Sequence, residues 1–141
     1  MRITLDTNQL VRALVRPPEL ATFVMAWESR RFSVVGSPAL LEEYERVLAH
    51  SDIAQLIYPE LLRAFRTHLL HDIEIVPVLE IAPICRDPDD DKVVATAIYG
   101  MVDYLVTEDT DLIEPGVASA LKDVGIAVIS MDELIRLIDQ S

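Results

Sequence analysis

Short apolar runs alternate with stretches of helical periodicity along almost the whole of this chain, and that alternation most limits how it can fold. Residues 2–6 (RITLD) read as a strand that stops on Asp6 and Asn8. Residues 19–29 recur with helical spacing, and FSVVGS (32–37) is a second strand closed by Gly36 and Ser37. Ser37 as N-cap, Pro38 at the first helical position and acids close behind open a helix over 37–50. A helix over 58–71, a strand at 73–78, a helix over 92–100, a strand at 103–107, a short helix at 117–123, a strand at 125–130 and a last helix over 131–140 complete the pattern. Strands separated by helices of about ten residues imply parallel pairing with helices on both faces. The expectation is an α/β fold, a three-layer α/β/α sandwich around a central parallel sheet, as one domain over residues 1–141. No repeat, linker or low-complexity segment interrupts it.

In such sheets ligands gather beyond the carboxyl ends of the strands. Asp6 ends the first strand, and Asp109 follows Thr107 at the end of another. Glu43 and Asp91 lie near helix starts that can face the same edge. Carboxylates brought together repel and raise one another's pKa unless a cation neutralises them. A site of hard oxygen donors without Cys or His partners favours Mg2+ or Mn2+ over zinc. A divalent ion so held can orient water and stabilise charge on a phosphodiester, which makes metal-assisted hydrolysis the expected chemistry. Each acid also has a plainer use. Asp6 could cap a following helix, and Glu43 alone would be read as a solvated helix residue. Four aspartates crowd residues 87–91: Asp87 before Pro88 suits a turn or N-cap, and Asp89 and Asp90 suit a first helical turn, where acids complement the helix dipole.

The formal charge of −12, with 24 acidic residues against 12 basic, opposes a protein that coats nucleic acid. It does not oppose an enzyme that meets phosphates through a bound cation, since the ion inverts the local field. A single cysteine, Cys85, excludes an internal disulfide and reads as a small core side chain. The N-terminus has no signal-peptide pattern and no run approaches a membrane span, so a soluble cytoplasmic protein is expected, with no membrane partner.

LDTN at 5–8, SPALLEEYERVL at 37–48, CRDPDDDKVVATAIYGMVDYLVTEDTDL at 85–112 and the closing IAVISMDELIRLI together resemble PIN-domain ribonucleases, and within them the prokaryotic toxins related to VapC. The resemblance implies an endoribonuclease acting on RNA, a cognate antitoxin that blocks the site, and a homodimer. It carries the metal-binding catalytic set onto Asp6, Glu43, Asp91 and Asp109, with Thr7, Asn8 and Thr107 in support and Asp111 sharing or replacing the role of Asp109. Asp91 is chosen from its cluster because it stands sixteen residues before Thr107. Asp87, Asp89 and Asp90 are assigned to turn and helix-start chemistry. Two positions depart from the family pattern: Gln9 is polar where an aliphatic residue is usual, and Glu108 adds negative charge beside the site.

Two other functions fit parts of the pattern. A non-catalytic domain of the same fold could bind a partner protein. A receiver-type phosphotransfer domain would need an acidic pair after its first strand and a late lysine, neither of which is found. Elsewhere, Phe23 and Trp27 read as core or dimer contact, and Asp103 as a loop residue. His68 and His71 lack a third ligand for zinc. Arg12, Arg16, Arg30 and Arg31 are the candidates for contacting RNA phosphates.

Overall fold

The computed structural model describes residues 1–15 and 18–140, without the side chains of residues 61 and 68–70. The readings of Arg16 and of the His68 side chain therefore lie outside the described residues.

Five strands form one parallel sheet in the order β3-β2-β1-β4-β5: β1 (Arg2–Leu5), β2 (Ser33–Gly36), β3 (Glu74–Ile75), β4 (Tyr104–Val106) and β5 (Ala127–Ile129). Around them lie α1 (Thr7–Val15), α2 (Ala21–Glu28), α3 (Pro38–Ala49), α4 (Ser51–Ala54), α5 (Pro59–Asp72), α6 (Asp91–Gly100), α7 (Pro115–Asp123) and α8 (Met131–Asp139). The expected α/β architecture with a central parallel sheet and flanking helices is what the chain adopts. Its core joins Ile3 and Leu5 of β1 and Leu105 and Val106 of β4 to Leu10 and Leu14 of α1, Leu40, Tyr44 and Leu48 of α3, and Val93, Val94 and Ala97 of α6. The chain leaves β1 toward β2 and β3 but leaves β4 toward β5. The carboxyl ends of β1 and β4 therefore flank the point where the winding reverses, the usual place for a ligand in such sheets.

The helix over 37–50 starts as expected, with the Ser37 hydroxyl accepting from Leu40 N–H at 3.3 Å. Other elements differ from the sequence reading for identifiable reasons. β3 keeps two residues of the expected 73–78, both exposed, at the sheet edge. Val76 N–H still reaches Gly36 C=O at 2.9 Å, one residue beyond the pair assigned to the strand. α1 was not anticipated as an element, because Thr7, Asn8 and Gln9 open it with polar residues. Leu10, Ala13 and Leu14, at helical spacing, bury its inner face. The helix expected at 19–29 begins with a 3-10 turn over Pro18–Leu20 before α2.

α6 lies against β2 so closely at its last residue that a Cβ on Gly100 would sit 2.6 Å from Cγ1 of Val35, a fully buried side chain. Gly100→Ala is expected to lower stability by about 1–3 kcal/mol through overpacking. Urea unfolding checks this, and an unchanged midpoint would show that the two elements can separate at no cost.

Candidate functional site

Pairing of Leu5 with Val106 sets Asp6 and Thr107 side by side at the ends of β1 and β4. Both are buried, Asp6 at 5% exposure and Thr107 at 1%. The Thr107 hydroxyl donates to Asp6 Oδ2 at 2.8 Å and accepts the Asp109 N–H at 3.0 Å, while Asp109 Oδ1 accepts the Asp111 N–H at 2.9 Å. Asp6 also starts α1, its carbonyl accepting from Gln9 and Leu10. Burial raises the Asp6 pKa above its ordinary value. The Thr107 hydroxyl and Thr7 N–H oppose that rise, and the charges of Asp109 and Glu43 add to it. Capping and membership of the acidic group, which the sequence offers as alternatives for Asp6, coexist in one residue.

Glu43 arrives from α3. Its carboxylate accepts the Thr7 hydroxyl and meets Lys92 Nζ at 3.1 Å and Arg46 at 3.7 Å. Next to it, Tyr44 is fully buried and donates its hydroxyl to Leu5 C=O. Burial first, then the charges of Asp6 and Glu43, push its pKa well above the ordinary phenol value, so it stays a neutral donor.

The aspartates at 87–91 make different contacts. Asp87 is the turn residue expected, Oδ1 accepting the Asp89 N–H at 3.0 Å ahead of a 3-10 turn over Pro88–Asp90. Asp91 is buried, but its Oδ1 is engaged by two backbone donors, Ile84 N–H at 3.0 Å and Cys85 N–H at 2.7 Å. It anchors the segment that precedes the turn. Asp90, assigned from sequence to helix-start chemistry, lies near other acids. Its Oδ2 is buried without a hydrogen-bond partner among the described residues. Its pKa is pushed up to about 7 by desolvation first, then by the charges of Asp109, Asp6, Asp87 and Asp111. Carboxylate oxygens of Asp87, Asp90 and Asp111 lie within 4.8 Å of one another. Asp111 also has Arg86 at 3.6 Å.

A cleft of about 380 Å³ opens beside this group, lined by Asp6, Asn8, Gln9, Arg12, Glu108 and Asp109, among others. Asn8 is exposed there. The two departures from the family pattern are joined: Arg12 donates to Glu108 at 2.9 Å and to Gln9 Oε1 at 3.2 Å. Arg30 pairs with Asp72, and Arg31 donates to Ile138 C=O. Phe23 is core, its ring against Trp27 and Phe32. Asp103 is a loop residue that accepts the Arg2 N–H. Cys85 is packed partly against the core, and its thiol pKa is pushed up to about 12 by burial and by Asp91, which leaves it unreactive.

The family model for the PIN domain matches residues 2–111. This chain belongs to the PIN domain family. Among solved structures, this PIN domain resembles a chain in VapBC2 from Rickettsia felis, crystallised bound to a DNA fragment from its promoter, at 14% identity and a TM-score of 0.52 over 92% of this chain and 98% of that one. A chain of FitAcB from Neisseria gonorrhoeae is 20% identical, with a TM-score of 0.49 over 92% and 97% of the two chains. No curated protein sequence matches significantly. No helix among the described residues of the PIN domain is long and apolar enough to cross a membrane.

The Asp90 environment predicts a pH dependence of stability for the metal-free PIN domain. Its folded pKa of about 7 lies above the ordinary 3.8, so the folded chain binds the proton more tightly than the unfolded one. Stability from this group is therefore lost as pH rises from about 4 through about 7. Asp90→Asn lacks this titration, so its stability relative to wild type should be greater at pH 8 than at pH 5. Urea unfolding in chelator at both pH values tests this; an equal difference at each would show that Asp90 titrates normally.

Proposed function

We propose that this PIN domain is a Mg2+- or Mn2+-dependent endoribonuclease, with Asp6, Asp90 and Asp109 holding the ion. The observation that carries this reading is the buried, unpartnered Oδ2 of Asp90, whose carboxyl group feels the charges of Asp109 and Asp6. A buried polar atom without a partner is costly, and carboxylates that raise one another's pKa lack a cation. The three proposed ligands offer carboxylate oxygens, which fits Mg2+ or Mn2+. When bound, such an ion supplies Lewis-acid stabilisation of charge on a phosphodiester and orients water for attack.

The chain's own residues would do the rest. Thr107 fixes the Asp6 carboxylate through one hydrogen bond and the start of the Asp109 loop through another, so the two acids keep their relative position. Asp91 holds the segment before the 3-10 turn and so sets where Asp90 points. The cleft beside Asp6 and Asp109 is where an RNA backbone would lie, with Arg12 at its wall.

Within this reading the protein is the cytoplasmic toxin of a toxin–antitoxin pair, acts as a homodimer, and is blocked by an antitoxin that places a basic side chain among the acids. The resemblance of its motifs to VapC-related toxins supports that role, and the similar fold in VapBC2 is compatible with it. Binding a partner protein without catalysis is the weaker reading, because all the acids such a site needs are present.

Mn2+-dependent cleavage of a mixed RNA pool is the test. Asp6→Ala and Asp90→Asn should each lose at least about 100-fold in rate, the equivalent of ~2.7 kcal/mol of transition-state stabilisation. Asp91→Asn keeps an oxygen for the two backbone donors and should lose much less. Wild-type protein with no metal-dependent cleavage beyond that of the mutants would refute the nuclease reading.

A further inference from the structure

The acids around the cleft fall into two electrostatic classes. Glu43 is compensated: Lys92 at 3.1 Å, Arg46 at 3.7 Å and the Thr7 hydroxyl surround its carboxylate. Asp91 is satisfied by two backbone N–H groups, and Asp111 has Arg86. Asp6, Asp90 and Asp109 have no cationic partner among the described residues, and Thr107 is the only side chain there that donates to any of them.

The order of these groups along the site matters as much as their number. Glu43 accepts the hydroxyl of Thr7, the residue that follows Asp6, whereas carboxylate oxygens of Asp90, Asp87 and Asp111 lie within 4.8 Å of one another. Glu43 therefore stands at one end of the row, beside Asp6, and Asp90 stands toward the other. A second divalent ion in a two-ion hydrolase lies about 4 Å from the first and needs carboxylates of its own. Glu43 is the acid available at that end, and the Lys92 ammonium is already against it. Both side chains are well covered, Lys92 at 18% and Glu43 at 14% exposure, so their pairing is little screened by water.

We propose that Lys92 takes the place of a second divalent ion, holding Glu43 as a positioning residue and leaving Asp6, Asp90 and Asp109 to bind a single ion. This rests on the metal-dependent nuclease reading and specifies its cation count. Glu43, fixed by Lys92, in turn orients Thr7 at the start of α1, next to Asp6. Lys92 follows Asp90 by two residues on the same helix start, so the chain that delivers a ligand also delivers the ammonium.

The test is isothermal titration of the full-length, metal-free protein with Mn2+, read as stoichiometry and affinity rather than as activity. Wild type should bind one ion. Lys92→Met keeps the apolar stem and removes the charge, and should expose a second binding event. Lys92→Arg keeps the charge and should remain at one, which separates loss of the cation from loss of the fold; circular dichroism of each variant checks folding. Glu43→Gln should weaken binding of the first ion less than Asp90→Asn does, and Asp90→Asn should weaken it by about 10-fold or more. Two ions in wild type, one ion in well-folded Lys92→Met, or equal losses from Glu43→Gln and Asp90→Asn would each overturn the inference while leaving the nuclease reading in place. Wild-type protein that binds no Mn2+ at all would overturn both.

Discussion

The Thr107 hydroxyl spans the ends of β1 and β4, donating to the Asp6 carboxylate and accepting the N–H of Asp109. One small side chain thus joins the two strands at the point where the sheet reverses its winding, and it does so at 1% exposure. A hydroxyl can serve both roles because it has one proton to give and lone pairs to receive. Without it, two acids on separate loops would repel and separate. With it, their spacing is set by the register of a parallel pair, Leu5 beside Val106, which the buried core holds in place. The rest of the site is arranged around that fixed pair: α1 leaves from Asp6, α3 brings Glu43 to Thr7, and the 3-10 turn and α6 bring Asp90 and Lys92 respectively.

Stability and site chemistry pull in opposite directions here. Asp6 and Asp90 are held where burial and neighbouring charges raise their pKa values, a cost that a chain selected only for folding would avoid. Local compensation limits it. Several of the neighbouring acids have partners of their own: Asp91 the backbone of 84–85, Asp111 the Arg86 guanidinium, Glu43 the Lys92 ammonium, Asp87 the Asp89 N–H.

Much of this was legible in the sequence, because period and punctuation are local properties. Alternating apolar runs and helical spacing led to the parallel sheet, and Ser37-Pro38 marked a helix start whose cap is made as expected. Asp6 and Asp109 were legible because strand ends are. The choice between Asp90 and Asp91 was not. Counting residues back from Thr107 measures distance along the chain, whereas the face a side chain presents depends on how the turn enters the helix. A 3-10 turn over Pro88–Asp90 precedes α6, and at that junction Asp91 turns an oxygen to the backbone of 84–85 while Asp90 does not. Lys92 was hidden for a related reason: its partner Glu43 lies in a different helix, and only the packing of α3 near α6 brings them together.

Gln9 and Glu108, the two positions that break the family pattern, become intelligible as a unit once Arg12 is placed between them. Read singly, a buried glutamine costs desolvation and a glutamate beside an acidic site adds repulsion. Together they give a guanidinium two acceptors on the wall of the cleft, so the added negative charge is offset where it enters. The same pairing answers the objection from net charge. A chain carrying −12 has an unfavourable field for RNA at long range, but the field falls off over about 10 Å at ordinary salt. Inside the cleft, what a phosphate meets is the local arrangement of Arg12 and the acids around the proposed ion. Arg12 is tethered by an exposed glutamate, a pairing weak enough in water for a phosphate to compete for the same guanidinium.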